Sequence, residues 1–340
     1  MDADNTRIAP KHSWVWMVLL AASGALGIYV AAPDTAVLHA AWSRLADVPI
    51  AALAIVIAGA LGLVATEALR IAVIGRIAGA RVGARDAWDA AVANHVMTAV
   101  TPQVGLGEPT VAYTLAKRGV PWDAAVAIPF VKFTTSLALV FVLGAVLVAT
   151  GFGPKTEAWL TAGAIVWFGA IAAITVLVIA VCSSERVAPR WIAAIARWTK
   201  RRRVLAKWQD RITRAEAVTS RTVLRVAAVR GVTAIDAALL VVVHLVYYAS
   251  YIAPLVGLAV VLGDPPFVTL CLRSMVYLCF VFAMPTPGGV GPSEAAAAWF
   301  FGDLVAPADA IVIVVVFRAS TFYLQLAIGA LYLPIRALAR

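Results

Sequence analysis

Apolar runs of membrane-crossing length alternate with short polar or broken segments along almost the whole chain. A helix needs about 20 mainly apolar residues to cross the hydrocarbon core of a bilayer. Runs of that kind predict a helix over about 14–32, a second over about 48–68, a third over about 122–149 and a fourth over about 157–182. Apolar sequence resumes from Val226 to Leu262, weakly broken by Pro254, and a last helix is expected over about 307–334. No stretch shows the period-two alternation of an outer-membrane barrel strand. The fold class expected is all-α, a polytopic membrane protein with about 7–8 membrane helices. The first run lacks a clear cleavage site before Pro33 and is kept as a membrane helix.

Two apolar stretches are interrupted. Segment 86–101 breaks at Thr101-Pro102 and resumes through Glu108 to Ala116, ending in Lys117-Arg118. Segment 267–303 breaks at Pro285-Thr-Pro-Gly-Gly-Val-Gly-Pro-Ser-Glu294. Backbone that is not helical survives at membrane depth only where protein or water satisfies its polar groups. Each arm is too short to cross, so each stretch predicts a re-entrant hairpin. The breaks fall on Pro102, Gly105 and Gly107, and on Pro285, Pro287, Gly288, Gly289 and Gly291.

The interruptions are related. Glu108 and Glu294 stand 186 positions apart, and the same shift lays Val104-Gly105 on Val290-Gly291, Pro121 on Pro307 and Asp123-Ala124 on Asp309-Ala310. It also lays Lys132 on Arg318, Thr134 on Ser320 and Thr135 on Thr321. The chain therefore reads as one transmembrane domain over 1–340, with repeat A at about 48–150 and repeat B at about 226–335. Paired broken segments at corresponding places in two halves point to a transporter's binding site.

Charge adds topology. The chain is 63% hydrophobic and 14% charged, where a soluble domain is about half apolar and about a quarter charged. Residues 185–225 carry 12 Lys/Arg against three acids, and so supply +9 of the net +10. Trp191, Trp198 and Trp208 are interleaved with Ile192, Ile195, Leu205 and Ile212 at roughly helical spacing. A basic helix with tryptophans between membrane runs reads as lying on an anionic leaflet, and a nucleic-acid partner is not expected from Lys200-Arg-Arg-Arg203. Positive charge marks the cytoplasmic side, which places both termini inside a bacterial-type inner membrane. The first hairpin then opens from the cytoplasm and the second from the periplasm, so the repeats are inverted. That arrangement requires 226–266 to cross an odd number of times. One long kinked helix fits it, as does one crossing plus an interfacial piece.

The candidate chemistry follows from charges inside apolar sequence, which need partners or a wet cavity. Glu108 and Glu294 read either as carboxylates satisfied by their own Gly-rich turns or as counter-charges and proton sites in a polar cavity. Lys132 and Arg318, about ten residues into their helices, read as ion-pair partners of those carboxylates or as holders of a lipid phosphate. Thr135 and Thr321 supply hydroxyls nearby, and Arg273 is expected in the second hairpin near Glu294. Glu67, Arg70, Asn94, His95, Asp236 and His244 are further polar residues at membrane depth. No metal site is expected, since no third ligand joins Asp236 and His244 at metal spacing, and no cofactor is implied. The three cysteines form no CxxC pair. HExxH, GxSxG and GxxxxGK[ST] are all absent, so an enzyme is not expected.

Pro287-Gly-Gly-Val-Gly-Pro-Ser-Glu294, Arg318-Ala-Ser-Thr321 and Pro102-x-x-Gly-x-Gly-Glu108 resemble the lysylphosphatidylglycerol synthase transmembrane, flippase-like family over roughly residues 50–335. The resemblance implies lipid translocation and leaves the lipid open. The family's first motif usually continues with an Arg on the same turn, whereas Glu108 is followed here by Pro109-Thr-Val-Ala-Tyr113. Any phosphate-binding role of that Arg is missing or falls to Lys132. No aminoacyl-transferase domain follows Arg340, so this chain is not expected to make lysyl-lipid. The expected partners are membrane lipids and a lipid substrate, and self-association into a homo-oligomer stays open. A membrane enzyme acting on a lipid and a non-transporting scaffold of a lipid-synthesis complex are the rival readings.

Overall fold

In a membrane, a backbone without water must satisfy its own polar groups, and helices do so within one segment. The computed structural model describes residues 25–26, 29, 35–101, 106–182, 184, 187–200, 209–228, 233–284, 286 and 289–338, and their regular structure is all helical. In chain order the helices are α1 (Thr35–Ala46), α2 (Ile50–Ile77), α3 (Ala84–Val100), α4 (Gly107–Lys117), α5 (Trp122–Ala149), α6 (Ala158–Cys182), α7 (Val187–Lys200), α8 (Gln209–Ala228), α9 (Ala234–Leu262) and α10 (Phe267–Ala283). Two short helical turns, Pro292–Ala295 and Ala297–Phe301, lead into α11 (Pro307–Arg318). α11 passes through a π-helical turn at Ala319–Tyr323 into α12 (Leu324–Leu338).

Five of these rods are long and apolar enough to cross a membrane: α2, α5, α6, α9 and the continuous run from Pro307 to Arg336. The chain is thus a multi-pass membrane protein. α3 has 17 residues and α4 has 11, lengths of about 26 and 17 Å against a core of about 30 Å. Most of the expected first helix, 14–32, lies outside the described residues, as do the breaks Pro102, Gly105, Pro285, Pro287 and Gly288. So do Trp208 and residues 201–203 of the basic run.

The third and fourth helices fall where the apolar runs place them. The second does not end near 68 but continues to Ile77. Its Glu67 and Arg70, one turn apart, neutralise each other at 2.8 Å and stay buried within the helix. The stretch 226–266 holds one 29-residue helix with Pro254 inside it. Adding 186 to the bounds of α2 gives 236–263, beside 234–262 for α9. The same sum takes α3 to 270–286, beside 267–283 for α10, and α5 to 308–335, beside 307–338 for α11–α12.

Among the described residues two large apolar cores hold the helices, beside a small cluster of Ala99, Val290 and Phe322. One gathers Tyr248, Tyr277, Phe300, Phe301 and Phe317 with α5 and α6 residues such as Phe141 and Phe168. The other joins α2 to α5 through Leu115, Ile71, Ile74, Val111 and Ile128. α2 also meets α9 and the π turn closely at Gly59. A Cβ there would collide with the Pro254 ring and come within 2.9 Å of Ser320 Oγ, which donates to the Val56 carbonyl at 2.9 Å. Gly59→Leu is expected to cost about 1–3 kcal/mol or more by overpacking. The check is the thermal midpoint of detergent-purified protein, which falls, while an Ala at Gly62, where a Cβ meets open space, does not lower it.

Candidate functional site

α2, α3, α4 and α5 bring four charges together in the first half. Glu67 and Arg70 share one face of α2, as residues three apart on a helix do. Glu108 sits in the first turn of α4, where the helix dipole favours a carboxylate. Lys132 lies ten residues into α5 and is 1% exposed. Its Nζ ion-pairs with Glu67 Oε1 and lies 3.0 Å from Glu108 Oε2. Glu67 also accepts from Asn94 Nδ2 at 2.8 Å through Oε1 and from Arg70 Nη1 at 2.8 Å through Oε2. The Arg70 guanidinium stacks 4.0 Å from the centre of the Tyr247 ring, a desolvated cation–π contact. His244 Nε2 stands 3.2 Å from Thr135 Oγ1 and 3.3 Å from the Lys132 carbonyl.

These side chains face a cavity of about 420 Å³. Glu67, Arg70, Glu108 and Lys132 form its charged wall, and Phe133, Leu137, Phe141 and Tyr247 its apolar one. Gly107 and Pro109 line it from the first turn of α4, Phe282 and Ala283 from the end of α10. Beyond it lies a second cavity of about 480 Å³, walled by Trp159, Trp167 and Trp299 with Lys155. Ala283 borders both, and Phe141 of the first lies 5.7 Å, ring to ring, from Phe168 of the second.

The corresponding pair in the second half is built differently. Glu294 Oε1 accepts from Arg318 Nε at 2.9 Å, and Oε2 accepts at 2.7 Å from both the Gly291 N–H and the Ser293 hydroxyl. Gly289 and Gly291 have φ of +74° and +91°, left-handed values that glycine adopts without strain, and so the turn aims its N–H at the carboxylate. Tyr277 OH donates to the Ser293 carbonyl at 2.9 Å. The Arg318 guanidinium lies 4.9 Å from the Phe322 ring centre, and Thr321 donates to the Phe317 carbonyl. Glu294 and Arg318 side chains are 4% and 2% exposed, whereas Glu108 is 28% exposed.

Each expected acid–base pair is therefore brought together, but only Glu108 and Lys132 line the charged cavity. Glu294 and Arg318 close a buried knot between the Pro292–Ala295 turn and α11. Arg273 is paired with Asp303 rather than with Glu294, with Phe300 O at 3.4 Å, because the Ala297–Phe301 turn carries Asp303 back alongside α10. Thr135 sits behind Lys132, against His244. Sequence reasoning left Glu67, Arg70 and Asn94 unassigned, although a charged pair three residues apart inside a 28-residue apolar helix was the available signal. The shift by 186 lands on Ala253, Val256 and Phe280, so this polar group belongs to the first half alone. Among the described residues, no three His, Cys, Asp or Glu side chains cluster to hold a metal.

A family model described as lysylphosphatidylglycerol synthase TM region matches residues 14–329. No curated protein matches the chain.

Proposed function

The chain belongs to the lysylphosphatidylglycerol synthase TM region family, and on that premise we propose that it moves a lipid with a phosphate-bearing head group across the inner membrane. The observation that carries the reading is the cavity that holds Lys132 and Arg70 beside two carboxylates at membrane depth. A phosphate entering it finds a cation already desolvated and held, and acyl chains find the apolar wall and the aromatic cavity beyond.

In this reading the two halves are inverted repeats with re-entrant hairpins, both termini are cytoplasmic, and the closed Glu294–Arg318 knot frames the open site. Residues 185–225 lie on the anionic leaflet. The apolar side chains Trp191, Ile195 and Trp198, all on one face of α7 and more than half exposed, fit that interface. The route serves downhill exchange or driven transport alike.

Reconstitution into liposomes with acyl-labelled lipids tests the proposal. Thr98 lines the cavity from α3, and Thr98→Trp fills it without removing a charge. Transport per folded molecule is expected to fall to the level of empty liposomes, with folding checked by the thermal midpoint, since Thr98 packs against Gly107. Undiminished transport in this variant would overturn the route.

A further inference from the structure

The cavity is balanced before any lipid arrives. Glu67 and Glu108 contribute two negative charges, and Arg70 and Lys132 two positive ones. The carboxylates differ in what holds them. Glu67 is bound by Lys132, Asn94 and Arg70, whereas the ion partner of Glu108 is Lys132. A phosphate that takes Lys132 leaves Glu67 with Arg70 and Asn94 but deprives Glu108 of its counter-ion. The site then carries one net negative charge in a place where an unpaired buried charge costs several kcal/mol.

Building on the proposed transport, we infer that an anionic phosphodiester head crosses together with one proton carried by Glu108, whereas an amine-bearing head crosses without one. In the first case a proton from the side of loading bonds to a Glu108 carboxyl oxygen. The O–H bond breaks on the far side, and the pair of head-group anion and proton moves no net charge. In the second case the ammonium of the head lies against Glu108 in place of the proton. Glu294 has no such role, since both its oxygens are bonded within its own knot.

The groups facing Glu108 come from four helices. Glu67 and Arg70 stand on α2, Lys132 on α5 and Tyr247 on α9 across the cavity, with Asn94 on α3, while His95 on α3 and His244 on α9 act on Glu67. His244 has its two ring nitrogens against the Leu240 carbonyl and against Thr135 with the Lys132 carbonyl. His95 is the competing carrier, because its Nε2 is buried without a hydrogen-bond partner.

The experiment uses the full chain in liposomes with acyl-labelled phosphatidylglycerol or phosphatidylethanolamine, at equal internal and external pH stepped from about 8 to about 6, where neither head group titrates. Phosphatidylglycerol transport is expected to quicken as pH falls, by up to about tenfold per unit while proton uptake limits it. Phosphatidylethanolamine transport is expected to stay level. Glu108→Gln makes the phosphatidylglycerol rate independent of pH, and His95→Gln leaves the dependence in place. A trapped pH dye in liposomes of the unmodified protein gives a readout that needs no variant: inward phosphatidylglycerol movement acidifies the lumen, and phosphatidylethanolamine movement does not. A flat phosphatidylglycerol profile with a silent dye overturns the proton while leaving lipid transport standing. A dependence lost in His95→Gln and kept in Glu108→Gln also overturns it. Failure to move either lipid removes both readings together.

Discussion

Replacing Lys132 with alanine is expected to destabilise the protein by about 3–5 kcal/mol, the range for breaking a buried ion pair from one side. The ammonium is shared by Glu67 and Glu108 and is 1% exposed, so its loss leaves two carboxylates with Arg70, on Glu67, as the one cation remaining in the cavity wall. The double change Lys132→Ala with Glu108→Gln restores neutrality, since Glu67 keeps Arg70 and Asn94. Most of the lost stability is expected to return, and a double-mutant cycle on thermal midpoints in detergent reads the coupling. Transport stays lost in both variants. Equal destabilisation in the single and double changes would show that Lys132 stands by packing, not by charge.

The second large effect is at the closed knot. Arg318→Ala is expected to cost about 3–5 kcal/mol for the same reason, because Glu294 keeps two neutral donors but no cation. Glu294→Gln is expected to cost a similar amount, because the buried Arg318 guanidinium then faces a neutral amide in place of its carboxylate. The two sites part on function. Glu294→Gln lowers the midpoint and leaves transport per folded molecule intact, as its side chain is outside the charged cavity. A Glu294→Gln protein that folds normally but does not transport would move the second pair into the route.

Much of this architecture is legible in the sequence because the bilayer imposes length. Helix bounds at 122–149 and near 158–182 need only a run of apolar residues. Pairing of Glu108 with Lys132 and of Glu294 with Arg318 follows from the shared spacing and from the cost of a lone charge. What the sequence hides is geometry across helices. Nothing in the spacing of Arg273 says that Asp303, 30 residues on, folds back onto it. Charges at Glu67, Arg70 and Arg76 look like the end of a membrane helix, yet the first two neutralise each other and α2 continues. The likeness of the two halves also conceals their difference. Matching Glu residues suggest matching roles, and only the hydrogen-bond partners separate an open carboxylate from one its own turn has satisfied.

The central claim is that the charged cavity of the first half takes in a phosphate-bearing lipid. A photoreactive residue at Leu137, on the cavity wall, tests this most directly beside one at Val142, which is 45% exposed on the outer face of the same helix. After irradiation in native membranes, mass spectrometry is expected to find a phosphate-bearing lipid bound at both positions. Adding Thr98→Trp abolishes the Leu137 adduct and spares the one at Val142. An adduct at Leu137 that survives the blocked cavity, or that never forms while Val142 captures lipid, contradicts the account.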